Sequence, residues 1–545
     1  MPTTPTTPIE PAAIPGTPAT SPTPATIPGL IARAAAEFPD AEALVDDGVR
    51  WSFGELAEQV YRVAGAIIAS GIEKGDRVAV WAPNGRQFVT AALGAVTAGA
   101  VLVPVNTRFK GDEAAWILGK SGARLVFVAN GFLGHDYVGM LRKAAPYAKP
   151  AASPEIVALS GEGGEGGEGG VPWEKFLARS ETVPREDVLQ QAAGVTDTDI
   201  SDMFFTSGTT GRPKGVLTAH GQNIRVFQAW ADGVGLRPRD RYLIINPMFH
   251  TFGYKAGVLA CLIKGATMVI QKVFDAGQAI ELITREKITV MPGPPTLYAS
   301  ILDHPARQGK DLSTLRLAVT GAASVPAALV KRVREEMFPE VIIAYGLTES
   351  CGTVTVGSKD ADAETISRTV GKPIEGTEVI VAASDGTKCE PDEHGEVLVR
   401  GYNVMRGYFD DPEATKATID ENGWLHTGDV GAFDADGNLR ITDRLKDMFV
   451  VGGFNAYPAE IEQALARHEA IAEAAVIGVP DERLGEVGRA YVVPRPGQTV
   501  TENEIIAFCR ARLANYKVPR SVRFVDTLPR NAGGKVLKTQ LREES

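Results

Sequence analysis

The stretch Met203-Phe204-Phe205-Thr206-Ser207-Gly208-Thr209-Thr210-Gly211-Arg212-Pro213-Lys214-Gly215 decides how the rest of the chain is read. Its apolar opening has the character of a buried strand, and a loop of hydroxyls and glycines ending in a lysine follows. Glycines let backbone N–H groups turn inward with no Cβ in the way, the threonine and serine hydroxyls add donors, and Lys214 brings a positive charge. Such a loop is suited to holding phosphates. It is not a Walker A loop, which needs Gly-Lys followed by Ser or Thr to place a hydroxyl on magnesium, because here Lys214 follows Pro213 and precedes Gly215. A mobile Gly/Ser/Thr surface loop is the other reading of these residues taken alone.

Working outward, apolar runs alternate between helical and strand periods. A helix is expected over 56–70, a strand over 77–81, a helix over 87–97 and a strand over 100–105, which is βαβ writing. The alternation resumes after the loop, with strands expected over 242–245, 267–271, 289–291, 315–319 and 341–344. That pattern predicts mainly parallel sheets covered by helices on both faces. Over about 355–445 short strands and turn signals such as Ser384-Asp385-Gly386 and Asp434-Ala435-Asp436-Gly437 predict a β-rich subdomain. A smaller α+β pattern begins past Lys446. The expected organisation is an N-terminal domain over 29–445 and a C-terminal domain over 446–545.

At 545 residues the chain exceeds what one hydrophobic core usually supports. Its 44% hydrophobic and 23% charged residues suit a globular enzyme, and the net charge of -11 argues against a nucleic-acid binder. Anionic ligands then need local positive sites. Cys261, Cys351, Cys389 and Cys509 are widely separated, with no CxxC pair, so neither a disulfide framework nor a zinc site is expected. A reducing cytoplasm is the expected location. The Pro/Thr/Ala-rich segment 1–28 lacks the basic and apolar regions of a secretory signal and reads as a disordered tail. Gly94, Gly99 and Pro104 divide the uncharged stretch 88–107 into helix, turn and buried strand, so no membrane span is expected. The Gly/Glu-rich segment 160–170 reads as a flexible insertion.

Tyr345-Gly346-Leu347-Thr348-Glu349 follows a β-branched strand and so displays a polar group at a strand's carboxyl end, where ligands bind in open α/β sheets. A carboxylate there can hold Mg²⁺ while the adjacent hydroxyl touches a phosphate; an ordinary strand-end turn is the alternative. Thr427-Gly428-Asp429 puts a carboxylate after a glycine turn, suited to two ribose hydroxyls, although a plain turn uses Gly-Asp as readily. Arg444 offers a planar cationic donor, or else a surface ion pair. Lys535 sits in the turn Asn531-Ala532-Gly533-Gly534-Lys535, which delivers a charge to a site or leaves it in solvent.

These motifs, in this order and together with Arg444-Leu445-Lys446-Asp447, resemble the series of the adenylate-forming superfamily of acyl-CoA synthetases, nonribosomal adenylation domains and beetle luciferases. The resemblance covers about Ile31 to the C-terminus. It implies that Thr206, Ser207, Gly208, Thr209, Thr210 and Lys214 cradle the ATP phosphates, and that Gly321, Ala322 and Tyr345 enclose adenine. It implies Thr348 at the α-phosphate, Glu349 at Mg²⁺, Asp429 with Arg444 at the ribose, Lys446 at a hinge and Gly453 in the pantetheine tunnel. Lys535 then bridges carboxylate and α-phosphate oxygens in the first step, and His250 borders the acyl and thiol pockets. The implied co-substrates are ATP, CoA and a small carboxylic acid. The implied chemistry is attack of the carboxylate on the α-phosphorus, release of pyrophosphate, then transfer of the acyl group to CoA as the C-terminal domain rotates. Homodimers are common in the resembled family.

Amino-acid-activating members carry an aspartate after the pocket motif's aromatic residue, whereas this chain reads Met248-Phe249-His250-Thr251-Phe252-Gly253. No carrier-protein serine motif follows the last domain, so soluble CoA is the expected acceptor. The segments 245–261, 291–296 and 441–448 are similar to actinobacterial acyl-CoA synthetases of steroid catabolism, which activate the bicyclic indane-dione propanoate left from sterol rings C and D. A keto-bearing bicycle wants a wide pocket with a polar donor. Phe252, Gly253, Tyr254 and Lys255 are the candidate acyl-pocket residues, with Tyr254 or Lys255 as the donor and a surface-exposed Lys255 as the alternative. A medium- or long-chain fatty acyl-CoA synthetase is the runner-up. An inactive nucleotide-binding relative is disfavoured by the joint presence of Glu349, Asp429 and Lys535.

Overall fold

The computed structural model describes residues 24–144, 154–159, 170–206, 213–321, 325–444, 447–451, 454–481, 484–513, 515–530 and 536–544. Val101–Pro104 and Thr267–Ile270 are buried at every position, as strands covered on both faces must be. Each lies inside a large sheet. The first sheet has eight strands, in the order Gly407–Tyr408, Lys214–Ala219, Ile200–Thr206, Val101–Pro104, Arg77–Trp81, Ala123–Val128, Glu155–Ala158, Val171–Pro172. From Ile200–Thr206 onward its strands run parallel. The second has nine strands and is parallel from Glu340–Tyr345 through Leu317–Gly321, Val290–Pro292, Arg241–Ile244 and Thr267–Ile270 to Glu42–Asp46.

Helices cover the sheets. Phe53–Ala69 begins with a capping box between Ser52 and Glu55 and packs on Arg86–Thr97. Their approach depends on Gly94, where a Cβ would lie 2.6 Å from a Val63 methyl. The uncharged stretch 88–107 is the helix Arg86–Thr97, a turn at Gly99 with φ +80° and the strand Val101–Pro104. Among the described residues no helix is long and apolar enough to cross a membrane.

A third, antiparallel sheet of four strands comprises Thr377–Ala382, Gly395–Gly401, Leu425–Phe433 and Leu439–Arg444. It is shorter than the β-rich segment expected over 355–445, because Thr355–Val356 and Lys372–Pro373 extend the nine-stranded sheet and Gly407–Tyr408 joins the eight-stranded one. After Arg444 the chain changes sheet. Phe449–Val451 belongs to a five-stranded sheet whose strands and helices bury their own apolar cluster around Phe449, Ile461, Leu465, Ile477, Tyr491 and Ile505.

The N-terminal expectation needs a correction. Helix Ile27–Glu37 starts inside the segment read as a tail, with Thr26 accepting from Gly29 N–H and Ile27 fully buried. Pro28 fits because the first helical turn needs no donor there. Residues 1–23 and nearly all of the 160–170 insertion lie outside the described residues.

Candidate active site

The hydroxyl-rich loop joins two antiparallel strands. Ile200–Thr206 pairs with Lys214–Ala219, and Thr206 stands opposite Lys214. Ser207, Gly208, Thr209 and Thr210 lie outside the described residues, as do Ala322, Lys446, Gly453 and Lys535. Thr206 and Lys214 mark the two ends of the loop. Lys214 Nζ lies 4.9 Å from the centroid of the Tyr408 ring, within reach of the ring's negative face. The Tyr408 hydroxyl donates to Glu349 Oε1 at 2.9 Å. Burial, then the neighbouring Glu349 carboxylate, pushes the Tyr408 hydroxyl well above the usual phenol range, so it stays a donor.

Glu349 belongs to the turn Thr348–Ser350, which follows the strand Glu340–Tyr345. The turn is pinned from both sides: Met405 N–H donates to Glu349 O at 2.8 Å, and Ser350 Oγ accepts from Leu347 N–H at 3.1 Å. Just beyond it Cys351 adopts φ +57° and is fully buried. Among the described residues no group of three His, Cys, Asp or Glu could hold a metal. A single, partly buried carboxylate with one oxygen bonded by Tyr408 fits Mg²⁺, which takes one or two carboxylates beside phosphate oxygens and water.

Tyr345 and Asp429 come together from different sheets. Tyr345 Oη donates to Asp429 Oδ2 at 2.5 Å. Asp429 is buried after Gly428, whose φ of +66° suits glycine, and Gly428 N–H donates to Glu396 Oε1 at 3.1 Å. Arg444 stands opposite Asp429 in the ladder. Gly321 lies beside Ala344, where a Cβ would sit 2.4 Å from the Ala344 carbonyl oxygen. Tyr345, Gly321, Thr348, Glu349 and Asp429 are therefore brought to neighbouring strand ends, and Lys214 is linked to Glu349 through Tyr408.

The candidate acyl-pocket residues begin at His250. The preceding loop is pinned by Asn84, whose Nδ2 donates to the carbonyls of Ile245, Asn246 and Gln271 at 3.3, 3.1 and 3.2 Å and whose Oδ1 accepts from Met248 N–H at 2.8 Å. His250 Nδ1 accepts from Phe252 N–H at 3.5 Å, leaving Nε2 to carry the proton. The residue keeps exposed surface while surrounding protein desolvates the ring, and this lowers its pKa. His250 is thus neutral at pH 7. Gly253 is required by the loop, because a Cβ there would meet Pro247 O at 2.2 Å. From Tyr254 to Leu259 the helix widens into a π-turn, and the Ala256 carbonyl accepts instead from Tyr242 Oη at 2.8 Å. Tyr254 Oη is buried with no hydrogen-bond partner among the described residues, whereas Phe252 is only partly buried.

Lys255 differs from both expectations. It lies neither on the helix surface nor free to meet a substrate: it is fully buried and ion-paired to Asp202 Oδ1 at 2.9 Å. Tyr408 and Asn84 were not singled out in the sequence. A glycine-tyrosine pair before an acidic turn and an asparagine after a strand carry no signal until the strands are paired.

Comparison with known proteins agrees with this geometry. Residues 31–409 match the AMP-binding enzyme family and residues 460–535 match the AMP-binding enzyme C-terminal domain. The chain belongs to this family and is an acyl-CoA synthetase, an acid–thiol ligase that forms AMP. It is 51% identical over 516 residues, 94% of this chain and 98% of the other, to a 3-[(3aS,4S,7aS)-7a-methyl-1,5-dioxo-octahydro-1H-inden-4-yl]propanoyl:CoA ligase of Rhodococcus jostii (strain RHA1). The anthranilate CoA ligase AuaEII in complex with anthranoyl-AMP is similar in structure, with TM-score 0.84, 29% identity and coverage of 95% and 97% of the two chains. So is the o-succinylbenzoate CoA synthetase MenE of Bacillus subtilis with ATP and magnesium ion, with TM-score 0.77, 29% identity and coverage of 94% and 98%.

Proposed function

We propose that the acid joined to CoA is a bicyclic, keto-bearing propanoate of the indane-dione type, activated through its acyl-adenylate. The observation that carries this reading is the 51% identity, across 94% of the chain, to the Rhodococcus ligase for such an acid.

The residues take the following parts. Thr206, Ser207, Gly208, Thr209, Thr210 and Lys214 hold the β- and γ-phosphates; Tyr345, Gly321 and Ala322 enclose adenine; and Asp429 with Arg444 holds the ribose. Thr348 contacts the α-phosphate and Glu349 holds Mg²⁺. The metal, when bound, neutralises phosphate charge so that an anionic carboxylate can approach. Lys535 aligns that carboxylate with the α-phosphorus for in-line displacement of pyrophosphate. Rotation about Lys446 then withdraws Lys535 and brings Gly453 to the thiol path, where neutral His250 borders the acyl carbonyl. The enzyme works in the cytoplasm, consistent with four unpaired cysteines, and as a homodimer.

The test is pyrophosphate release with a panel of indane-dione propanoates, C8 to C16 fatty acids and aryl acids. The expected result is the highest kcat/KM with the bicyclic acids. A preference for fatty acids overturns the substrate, and full adenylation by Lys535→Ala overturns the role of that lysine.

A further inference from the structure

Behind the turn that carries Glu349 lies a polar cluster that the roles above leave without a purpose. Lys255, Asp202, Thr218, Asn223 and Cys351 are all buried, and each comes from a different element. Lys255 Nζ donates to Thr218 Oγ1 at 2.8 Å and to Cys351 Sγ at 3.7 Å, besides its pairing with Asp202 Oδ1 at 2.9 Å. Asp202 also accepts from Thr218 Oγ1 at 2.5 Å, from Ser201 Oγ at 2.7 Å and from Asn223 Nδ2 at 2.5 Å. The Cys351 thiol donates to Asn223 Oδ1 at 3.1 Å, and burial pushes its pKa up to about 11, so it remains a donor.

The elements joined are those that carry the reacting groups. Asp202 and Thr218 lie on the two strands flanking the phosphate loop, Ile200–Thr206 and Lys214–Ala219. Cys351 directly follows the turn Thr348–Ser350, and Lys255 lies in the π-turn that begins four residues after His250. A buried ion pair contributes little stability compared with apolar residues of the same volume, and its best-attested use is to fix register. One ammonium here meets three segments that must keep their mutual positions.

We propose that Lys255 is a positioning residue for adenylation, holding the phosphate-loop strands, the Thr348–Glu349 turn and the His250 helix in a single register. The proposal rests on the roles given above to Glu349 and the 206–215 loop. Because pyrophosphate leaves before CoA reacts, the first half-reaction depends on this register more than the second.

The test compares wild type, Lys255→Met, the double variant Asp202→Leu/Lys255→Met, and Thr218→Val. Lys255→Met leaves a buried carboxylate unpaired and lowers Tm; the double variant removes both charges and recovers part of the loss, the donors of Ser201, Thr218 and Asn223 having lost their acceptor. Both should lose about a hundredfold in kcat for adenylation, since displacements near 1 Å have that effect, while KM for the acid and the rate of CoA attack on preformed acyl-adenylate change by no more than about threefold. Thr218→Val keeps the ion pair and should lose about tenfold in adenylation kcat. A folded double variant with wild-type adenylation overturns the proposal, as does an equal loss in both half-reactions. If the double variant does not fold, wild-type adenylation by Thr218→Val overturns it. Failure of the functional reading is a separate outcome, seen as wild-type protein that adenylates no acid.

Discussion

Tyr345→Phe isolates one hydrogen bond between two sheets. Tyr345 closes the strand Glu340–Tyr345 of the nine-stranded sheet, and Asp429 lies in Leu425–Phe433 of the four-stranded one, with the phenol oxygen 2.5 Å from Oδ2. A hydrogen bond to an ionised acceptor contributes about 1.5–3 kcal/mol. Phenylalanine keeps the ring proposed to face adenine and removes only the donor, and on that proposal ribose hydroxyls resupply part of what Asp429 loses. The lower end of the range therefore applies: about 1.5 kcal/mol, or about tenfold in affinity. Calorimetric titration with AMP should give a Kd raised about tenfold, and kcat at saturating ATP should change by about twofold at most. A double-mutant cycle with Asp429→Asn should show strong coupling. Unchanged AMP affinity in Tyr345→Phe, or a loss confined to kcat, refutes the view that this bond pre-arranges the nucleotide site.

Tyr408→Phe removes the donor to Glu349 Oε1 while leaving the ring beneath Lys214, so half-saturation by Mg²⁺ should rise about three- to tenfold; an unaltered Mg²⁺ titration counts against the pairing. Gly321→Ala forces a Cβ to 2.4 Å from the Ala344 carbonyl, and urea unfolding should register a destabilisation of about 1–3 kcal/mol together with weaker AMP binding. His220 is buried with Nδ1 accepting from Ile27 N–H, and burial lowers its pKa from 6.5 to about 4. Below pH 6.5 the unfolded chain takes up a proton that the folded one refuses. Stability present above pH 6.5 is accordingly lost as pH falls towards 4, by on the order of 3 kcal/mol at about 1.4 kcal/mol per pH unit. His220→Gln should flatten that slope in urea titrations, and an identical slope in the variant removes His220 as its source.

Where burial alone dictates an element, the amino-acid pattern was sufficient. Arg77–Trp81 and Thr267–Ile270 are short apolar runs, too brief for a helix and carrying β-branched residues, and their lengths match the expectation closely. The strand-end position of Tyr345 and Thr348 followed from the apolar run before them. Composition misled at Ile27, where a proline-rich surrounding hid a capped helix start. Lys255 was misjudged for a different reason. Its neighbours Tyr254 and Ala256 give no sign of a buried cation, because the compensating carboxylate, Asp202, sits on a strand whose pairing is set by tertiary structure. Tyr408 escaped notice likewise: its strand Gly407–Tyr408 is two residues long and pairs with Val216 and Leu217 from a distant part of the chain.

The π-turn at Tyr254–Leu259 holds one residue more than an α-helical path between the same ends would need. Tyr242 takes up the Ala256 carbonyl inside the turn, while the upstream end leads back to Phe252 and His250. Deleting a single residue here would restore ordinary helical pairing and, at about 100° per residue, swing the upstream segment around the helix axis. The segment from His250 to Gly253 could thus be re-aimed without replacing any of its side chains. Length variation in this turn is therefore a route by which kindred enzymes could diverge in the shape of acid they accept.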